Sequence, residues 1–417
     1  MEKSVVVMFP YPSGSGLHAG HWYNYSIIDS YCKYQRYIGN NVFQPFGYDA
    51  FGLPAENYAK KVGREPKEVT YENIDKFRLQ MKQMNTNYEE MLITSDESYQ
   101  KHTQWLFTKL LEKGLAYKAL GEQDYCSSCE TVLAREQVKN GKCERCETEV
   151  TKKKLEQWYF KITEYTERLI NGILEGRSGL QKETANAQLK WLENQHDWCV
   201  SRQRKWGCSI PIEGETDTMD TFVDSSFYFI IYYLIKGIKP KPIDLYVGGK
   251  EHACMHLIYA RFITMFLYDI GFIDFEEPFK KVIHQGMILK DGQKMSKSKN
   301  NVVNLDKYDS DEIRFYLMFI GHYFDGGSWS DQNIKGIQRF ISKIKVWLSK
   351  EGEEEVDLLK FKETIFNYTE SFKFNKVVSS FMTLLNENKN KSLTKECKDE
   401  LVSILEIYMP NIKNKLK

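Results

Sequence analysis

The chain has 417 residues, 42% hydrophobic and 28% charged, the composition of a globular protein able to bury a sizeable core in two to four domains. Its 58 Lys and Arg against 57 Asp and Glu leave a formal net charge of +1, so any nucleic-acid footprint must be local. No apolar run reaches the ~18 residues of a membrane span, and the apolar start "VVVMF" leads into a motif rather than a secretory cleavage site, so a cytoplasmic protein with no membrane partner is expected.

In chain order, Val5–Phe9 reads as a strand and "WYNYSIIDSYCKYQRYIG" as a helix. Between them, "FPYPSGSGLHAGH" spans residues 9–21 with two prolines, three glycines and two histidines. A sharp turn of this kind sets a helix N-terminus above the carboxyl edge of a sheet, where backbone N–H groups attract phosphate. The glycines let a ligand approach the backbone closely. His18 and His21 fall on one side of the helix start, where each can donate a hydrogen bond to charge developing on a reacting phosphate. A metal-binding pair or a pair of helix-capping histidines fits the same turn. Val42–Phe46 is the next strand, followed by a loop and helices to residue 115.

Residues 117–155 carry Cys126, Cys129, Cys143 and Cys146, a C-x2-C pair, thirteen residues, then a second C-x2-C. Two knuckles at this separation can place four thiolates on one tetrahedral Zn²⁺; four reduced thiols in a vestigial module are the alternative. The other five cysteines have no partner spacing. Residues 156–211 read as largely helical. Strand–helix alternation returns from residue 212, with "IDLYVGG" a strand, "EHACMHLIYARFITMFLYDIG" a helix and "KKVIHQGMIL" a strand, which implies a parallel sheet. "DGQKMSKSKNN", residues 291–301, follows a tight Asp-Gly turn with Lys294 and Lys297 among small hydroxyl residues. A short cationic loop suits a leaving pyrophosphate, though most such runs are solvated surface. Residues 331–417 read as all-helical; Phe374, Val377, Val378, Phe381, Met382 and Leu385 recur at helical spacing and belong to a bundle core.

Taken together, "HAGH" resembles the HIGH signature and "KMSKS" is identical to the second signature of the class I aminoacyl-tRNA synthetases. The stretches "MFPYPSGSGLHAGHWYNYSIIDSYCKYQRYIGNNVFQPFGYDAFGLPAENYA", "ETDTMDTFVDSSFYF" and "YVGGKEHACMHLIYARF" resemble the leucyl branch, and the resemblance covers roughly residues 4–345. It implies an α/β fold with a Rossmann-type catalytic domain in two halves, 1–116 and 212–330. A zinc module at 117–155, a shortened connective region at 156–211 and a truncated helical bundle at 331–417 complete the implied organisation.

The resemblance further implies activation of leucine by ATP and Mg²⁺, followed by transfer to the acceptor end of tRNA. His18, His21, Lys294 and Lys297 would stabilise charge on the α-phosphate and pyrophosphate. Asp49 would hold the α-ammonium. Met8, Phe9, Tyr11, Phe222, Ser225, Tyr228, His252 and His256 would form the amino-acid pocket. Gly20, Gly248, Gly249, Glu251, Met295, Ser296 and Ser298 would bind the nucleotide. Phe227 stands where the family usually has Trp.

Members of this branch carry a large editing domain in the connective region, and no stretch between 156 and 216 is long enough to fold as one. The helical bundle also ends early by comparison. Acceptor-stem contacts are expected from "SRQRKWG" and the segment after "KMSKS", and a monomer is expected. Two other readings stay open: a paralogue that passes leucine to a carrier protein, peptide or small amine, and a non-catalytic sensor.

Overall fold

The computed structural model describes residues 2–12, 16–133, 137–295 and 301–416, apart from the side chains of Pro54 and Lys294. Ser296, Lys297 and Ser298, and the side chain of Lys294, therefore lie outside the described residues.

Lys3–Val7 is the central strand of a parallel sheet. Its Val5-Val6-Val7 run is fully buried, as a strand covered on both faces requires. It pairs with Leu245–Gly248 on one side, in register Val5 to Leu245, and with Val42–Phe43 on the other. Val282–His284 pairs beyond Leu245–Gly248. Past Gln44 the chain continues as Pro45–Tyr48, paired in parallel with Glu89–Ile93. Early strands thus lie to one side of Lys3–Val7 and late strands to the other. The strand order reverses at the carboxyl ends of Lys3–Val7 and Leu245–Gly248, and such switch points open the crevice in which α/β sheets bind ligands.

Two apolar cores cover the sheet. Val5 and Val7 point into one, shared with the helices Ala19–Tyr37, Ser310–Phe319 and the C-terminal bundle. Val6 points into the other, shared with Tyr228–Ile235 and His256–Asp269. The helix Ala19–Tyr37 carries a buried Asp29, which pairs at 2.9 Å with buried Arg314 on Ser310–Phe319. Removal of Asp29 would leave the fully buried Arg314 guanidinium without its carboxylate, so this pair pins the two helices together.

Several elements differ from the sequence reading. The stretch 156–211 is not largely helical: it holds helices Thr166–Leu174 and Lys182–Leu192, but opens inside the strand Thr151–Phe160 and closes on short strands Trp198–Cys199 and Ser201–Arg202. Thr151–Phe160 and Ala116–Cys126 form one long antiparallel ribbon that carries the cysteine module outward. No separately folded domain interrupts this stretch among the described residues. "KKVIHQGMIL" is two strands, Val282–His284 and Met287–Lys290. The break falls at Gly286, where an added Cβ would lie 1.9 Å from Gly326 N, so the chain must pass backbone against backbone there. The helix read from "EHACMH" begins only at His256. The helices Ile334–Ser349, Leu358–Glu370, Phe374–Asn388 and Lys395–Tyr408 form the all-helical end. No helix among the described residues is long and apolar enough to cross a membrane.

Candidate active site

The turn after the first strand delivers His18 and His21 to the crevice. His18 is the N-cap of Ala19–Tyr37: its Nδ1 accepts from Gly20 N at 3.0 Å, and His21 Nδ1 accepts from His18 N at 3.2 Å. The rings stack with centroids 3.8 Å apart. The structure shows the capping reading, and the cap uses Nδ1 of each ring, which leaves Nε2 outside it. A ring nitrogen that accepts from a backbone N–H carries no proton, so in each neutral ring the proton sits on Nε2 and makes that atom a donor. Burial, then the neighbouring His18, hold the pKa of His21 well below the usual histidine value. The turn is propped from beneath by the helix Pro66–Gln83. Gln80 Oε1 accepts from Leu17 N at 2.6 Å, and Asn73 Nδ2 donates to Pro12 O at 3.0 Å.

Asp49 follows the strand Pro45–Tyr48, and its N–H donates to Pro10 O at 3.1 Å, which ties it to the same turn. Thr221 Oγ1 donates to Asp49 Oδ1 at 2.9 Å. Burial pushes the Asp49 carboxyl up to about 8, with buried Asp220 acting in the same sense, so the site favours a cation arriving beside it.

Met8, Phe9, Tyr11, Asp49, Ser225, Tyr228, His252 and His256 line one small pocket. Phe9 stacks on Tyr228 at 3.9 Å to make an aromatic wall. Behind it, buried His256 Nε2 lies 2.6 Å from Tyr246 Oη, which lies 2.6 Å from Tyr228 Oη. His252 Nδ1 is buried with no hydrogen-bond partner among the described residues, which leaves it to a ligand. Phe222 is not among the lining residues. Its ring sits 5.8 Å from Tyr259 in the second core. Phe227 is buried beside Tyr99, behind the wall.

Gly248 ends the strand Leu245–Gly248 against Met8 of this pocket, and Gly249 follows it as the cap of the short helix Lys250–His252. A Cβ on Gly248 would come within 2.0 Å of Met8 Sδ, and one on Gly249 within 2.4 Å of the Glu251 carboxylate. Gly20 sits within the His18 cap, and Met295 is partly buried against the first core.

The four cysteines converge, with all ligand atoms within 4.8 Å of one another. Sγ of Cys146 lies 3.4 Å from that of Cys126 and 3.5 Å from that of Cys129. Sulfurs on a tetrahedron with ~2.3 Å metal bonds stand about 3.8 Å apart, so the set fits one zinc. Burial opposes ionisation of Cys146, but hydrogen bonds from Thr148 draw its thiol down to about 6. Burial, then hydrogen bonds with its cysteine neighbours, holds the Cys129 thiol up.

The segment "SRQRKWG" departs from its expected role. Arg202 is buried in an ion pair with Asp220, and Arg204 is nearly buried with Nε 3.9 Å from Glu56. Trp206 Nε1 donates to Ala50 O at 2.7 Å. Trp206 thus braces the loop that carries Asp49, while the Arg202 and Arg204 side chains are engaged inside the protein; only Lys205 of the basic residues is exposed.

Sequence reasoning missed Thr221, although it lies inside a quoted motif, and also His284, Thr184 and Gln188. His284 Nδ1 lies 2.9 Å from Gly248 O. The visible signal for His284 was a histidine at a strand's carboxyl end. Nothing in the local pattern marks Asn73 or Gln80, which occupy polar positions of a largely exposed helix.

A family model described as tRNA synthetases class I (I, L, M and V) matches residues 2–230, and one for class I (M) matches residues 126–341. The leucine–tRNA ligase of Clostridium kluyveri is 31% identical over 682 aligned positions, covering 97% of this chain and 84% of the relative. That of Clostridium perfringens strain SM101 is 30% identical, covering 98% and 84%. Both alignments run well beyond the 417 residues available here, so long stretches of the relatives lack a counterpart. Among solved structures, an Agrobacterium radiobacter K84 LeuRS–tRNA–LeuAMS ternary complex is similar with a TM-score of 0.89 at 24% identity, covering 99% of this chain and 84% of that one. A Mycobacterium tuberculosis methionyl-tRNA synthetase with methionyl-adenylate gives 0.78 at 19% identity, covering 100% and 93%.

Proposed function

The chain belongs to the class I tRNA synthetases and to their leucine–tRNA ligase family, and from that premise we propose that it joins leucine to tRNA through leucyl-adenylate, without a step that removes wrong amino acids. The observation that supports the leucine assignment is the pocket: a buried carboxylate, Asp49, in the same small lining as the stacked rings of Phe9 and Tyr228.

In the first step, a leucine carboxylate oxygen bonds to the α-phosphorus of ATP, and the bond from that phosphorus to the pyrophosphate oxygen breaks. Asp49 holds the ammonium and Thr221 orients Asp49. His18 and His21 present Nε2–H donors whose direction is set by their Nδ1 caps. They stabilise charge that grows on the phosphoryl oxygens in the transition state. Lys294 and Lys297 are assigned to the leaving pyrophosphate by their place in the motif, and Mg²⁺ would neutralise charge on the phosphates. In the second step, a ribose hydroxyl of the terminal adenosine attacks the adenylate carbonyl and AMP leaves. Both steps rest on positioning and electrostatics rather than a covalent enzyme intermediate. Cys126, Cys129, Cys143 and Cys146 would hold a structural Zn²⁺ that fixes the fold of the module at 117–155.

The absence of correction is supported by the short path from Thr151–Phe160 to Thr218–Met219, and by the excess length of the aligned relatives. A second reading, a leucyl transferase to a non-tRNA acceptor, is favoured by one observation: Arg202 and Arg204 face inward, which removes two expected acceptor-stem contacts. Single-turnover transfer separates the two. Preformed enzyme-bound leucyl-adenylate mixed with leucine-specific tRNA should be consumed rapidly, with affinity that falls as salt rises. An adenylate that survives tRNA but is discharged by a carrier protein or amine would establish the second reading.

A further inference from the structure

We propose that Thr184 and Gln188, one turn apart on the connective helix Lys182–Leu192, are positioning residues for ATP, because they hold both ends of the Gly248–Ala253 turn. The proposal rests on the proposed function and on its assignment of Gly248, Gly249 and Glu251 to the nucleotide.

Two separate ties carry it. Thr184 Oγ1 lies 2.7 Å from His284 Nε2, and His284 Nδ1 lies 2.9 Å from Gly248 O. A carbonyl oxygen can only accept, so the His284 proton is on Nδ1, Nε2 is the acceptor, and the Thr184 hydroxyl must donate. Burial holds the pKa of His284 below the usual value, consistent with a neutral ring in this one tautomer. At the other end, Gln188 Nε2 donates to Ala253 O at 2.7 Å, while its Oε1 accepts from Arg261 Nη1 at 2.9 Å. Arg261 is itself fixed by Glu277 at 2.6 and 2.8 Å and donates to Leu169 O at 2.7 Å. The Gln188 amide therefore cannot turn over without setting its NH₂ against a guanidinium.

Thr184, Gln188, Arg261 and His284 are all buried, so water does not substitute for a lost partner at low cost. The turn they hold has no slack: Met8 packs directly on Gly248, and Glu251 on Gly249. A displaced Gly248 carbonyl would carry the Gly249–Glu251 edge away from the nucleotide. The connective segment thus does more than cross between the two halves of the sheet; it latches the nucleotide end of the crevice.

Thr184→Val keeps the shape of the side chain and removes the hydroxyl, leaving His284 Nε2 without its donor. In leucine-dependent ATP–pyrophosphate exchange, the KM for ATP should rise about five- to tenfold, the scale of one lost buried hydrogen bond. The kcat at saturating ATP and the KM for leucine should stay within about twofold, and Thr184→Ser should restore the ATP KM. Gln188→Met should show the same selectivity and serves if Thr184→Val fails to fold. An unchanged ATP KM, an equal loss in both KM values, or failure of Ser to rescue would overturn the proposal. Calorimetric titration with ATP reads the same contrast without turnover. A wild-type protein that binds ATP but shows no leucine-dependent exchange would instead refute the leucine reading, and the titration would still decide the role of Thr184.

Discussion

At the scale of single residues, the proposed function gives the histidine pair two jobs on different atoms, capping through Nδ1 and catalysis through Nε2, which makes them separable. His18→Asn keeps an N-cap of the best class and so should leave thermal stability nearly unchanged, whereas an Ala there would cost about 0.5–2 kcal/mol. The amide N–H₂ of Asn sits on a shorter side chain and does not reach the place of the imidazole Nε2–H, so pyrophosphate exchange should still fall by roughly 10²–10³. A folded His18→Asn protein with full exchange would show that the histidine only caps. Asp49 makes a prediction in pH. Its carboxyl is pushed up to about 8 by burial, and leucine's ammonium needs it ionised. Below about 8 a proton must leave before leucine binds, so the leucine Kd should rise as pH falls, approaching tenfold per unit by one-proton linkage, and flatten above about 8. The same group gives the leucine-free protein stability at low pH that is lost as pH rises through about 8, so the thermal shift caused by leucine should grow in that direction. Asp49→Asn should bind leucine weakly with no such slope. The sequence exposed these residues because catalytic motifs are local: His18, His21 and Asp49 sit in short strings. It did not expose Thr221, His284 or Gln80, whose roles arise from contacts across 172, 36 and 63 positions of chain.

At the scale of elements, the cysteine ribbon is held by few apolar contacts: Cys126, Leu133 and Cys143 are the buried apolar residues of its own small cluster. A module with so little core depends on its metal for folding energy. Purified protein should contain one zinc per chain, and Cys143→Ser should abolish it and lower the first unfolding transition. Metal analysis that finds no zinc after expression with zinc supplied would refute this. The sheet was legible because Val5–Val7, Leu245–Val247 and Val282–Ile283 are short apolar runs with turn residues after them. The connective region was not. Its Trp and Gln residues fit a helix by composition, but Trp158 and Trp198 lie in strands, and the Phe160–Trp198 pairing that puts them there is set by a partner 38 positions away. "KKVIHQGMIL" misled for a similar reason, since Gly286 reads as one strand residue until Gly326 is known to lie against it.

At the scale of the whole molecule, a sheet whose strands come from both ends of the catalytic region gathers the His18 turn, the pocket and the Gly248–Gly249 edge at one switch point, and no separately folded domain interrupts 156–211 among the described residues. On the proposed function, accuracy then comes from the synthetic pocket. An apolar pocket separates amino acids that differ by one methyl or methylene by only ~1–3 kcal/mol, or ~10–200-fold. Norvaline should be activated measurably, and pre-charged norvalyl-tRNA should hydrolyse at the same rate with and without the protein. Enzyme-dependent hydrolysis would mean that the short connective region edits after all. The most direct test of the account is amino-acid-dependent ATP–pyrophosphate exchange across the apolar amino acids. Leucine should give the highest kcat/KM, ahead of isoleucine, valine and methionine, and Asp49→Asn should abolish the exchange. A clear preference for one of the other three, or exchange that does not depend on Asp49, would contradict it.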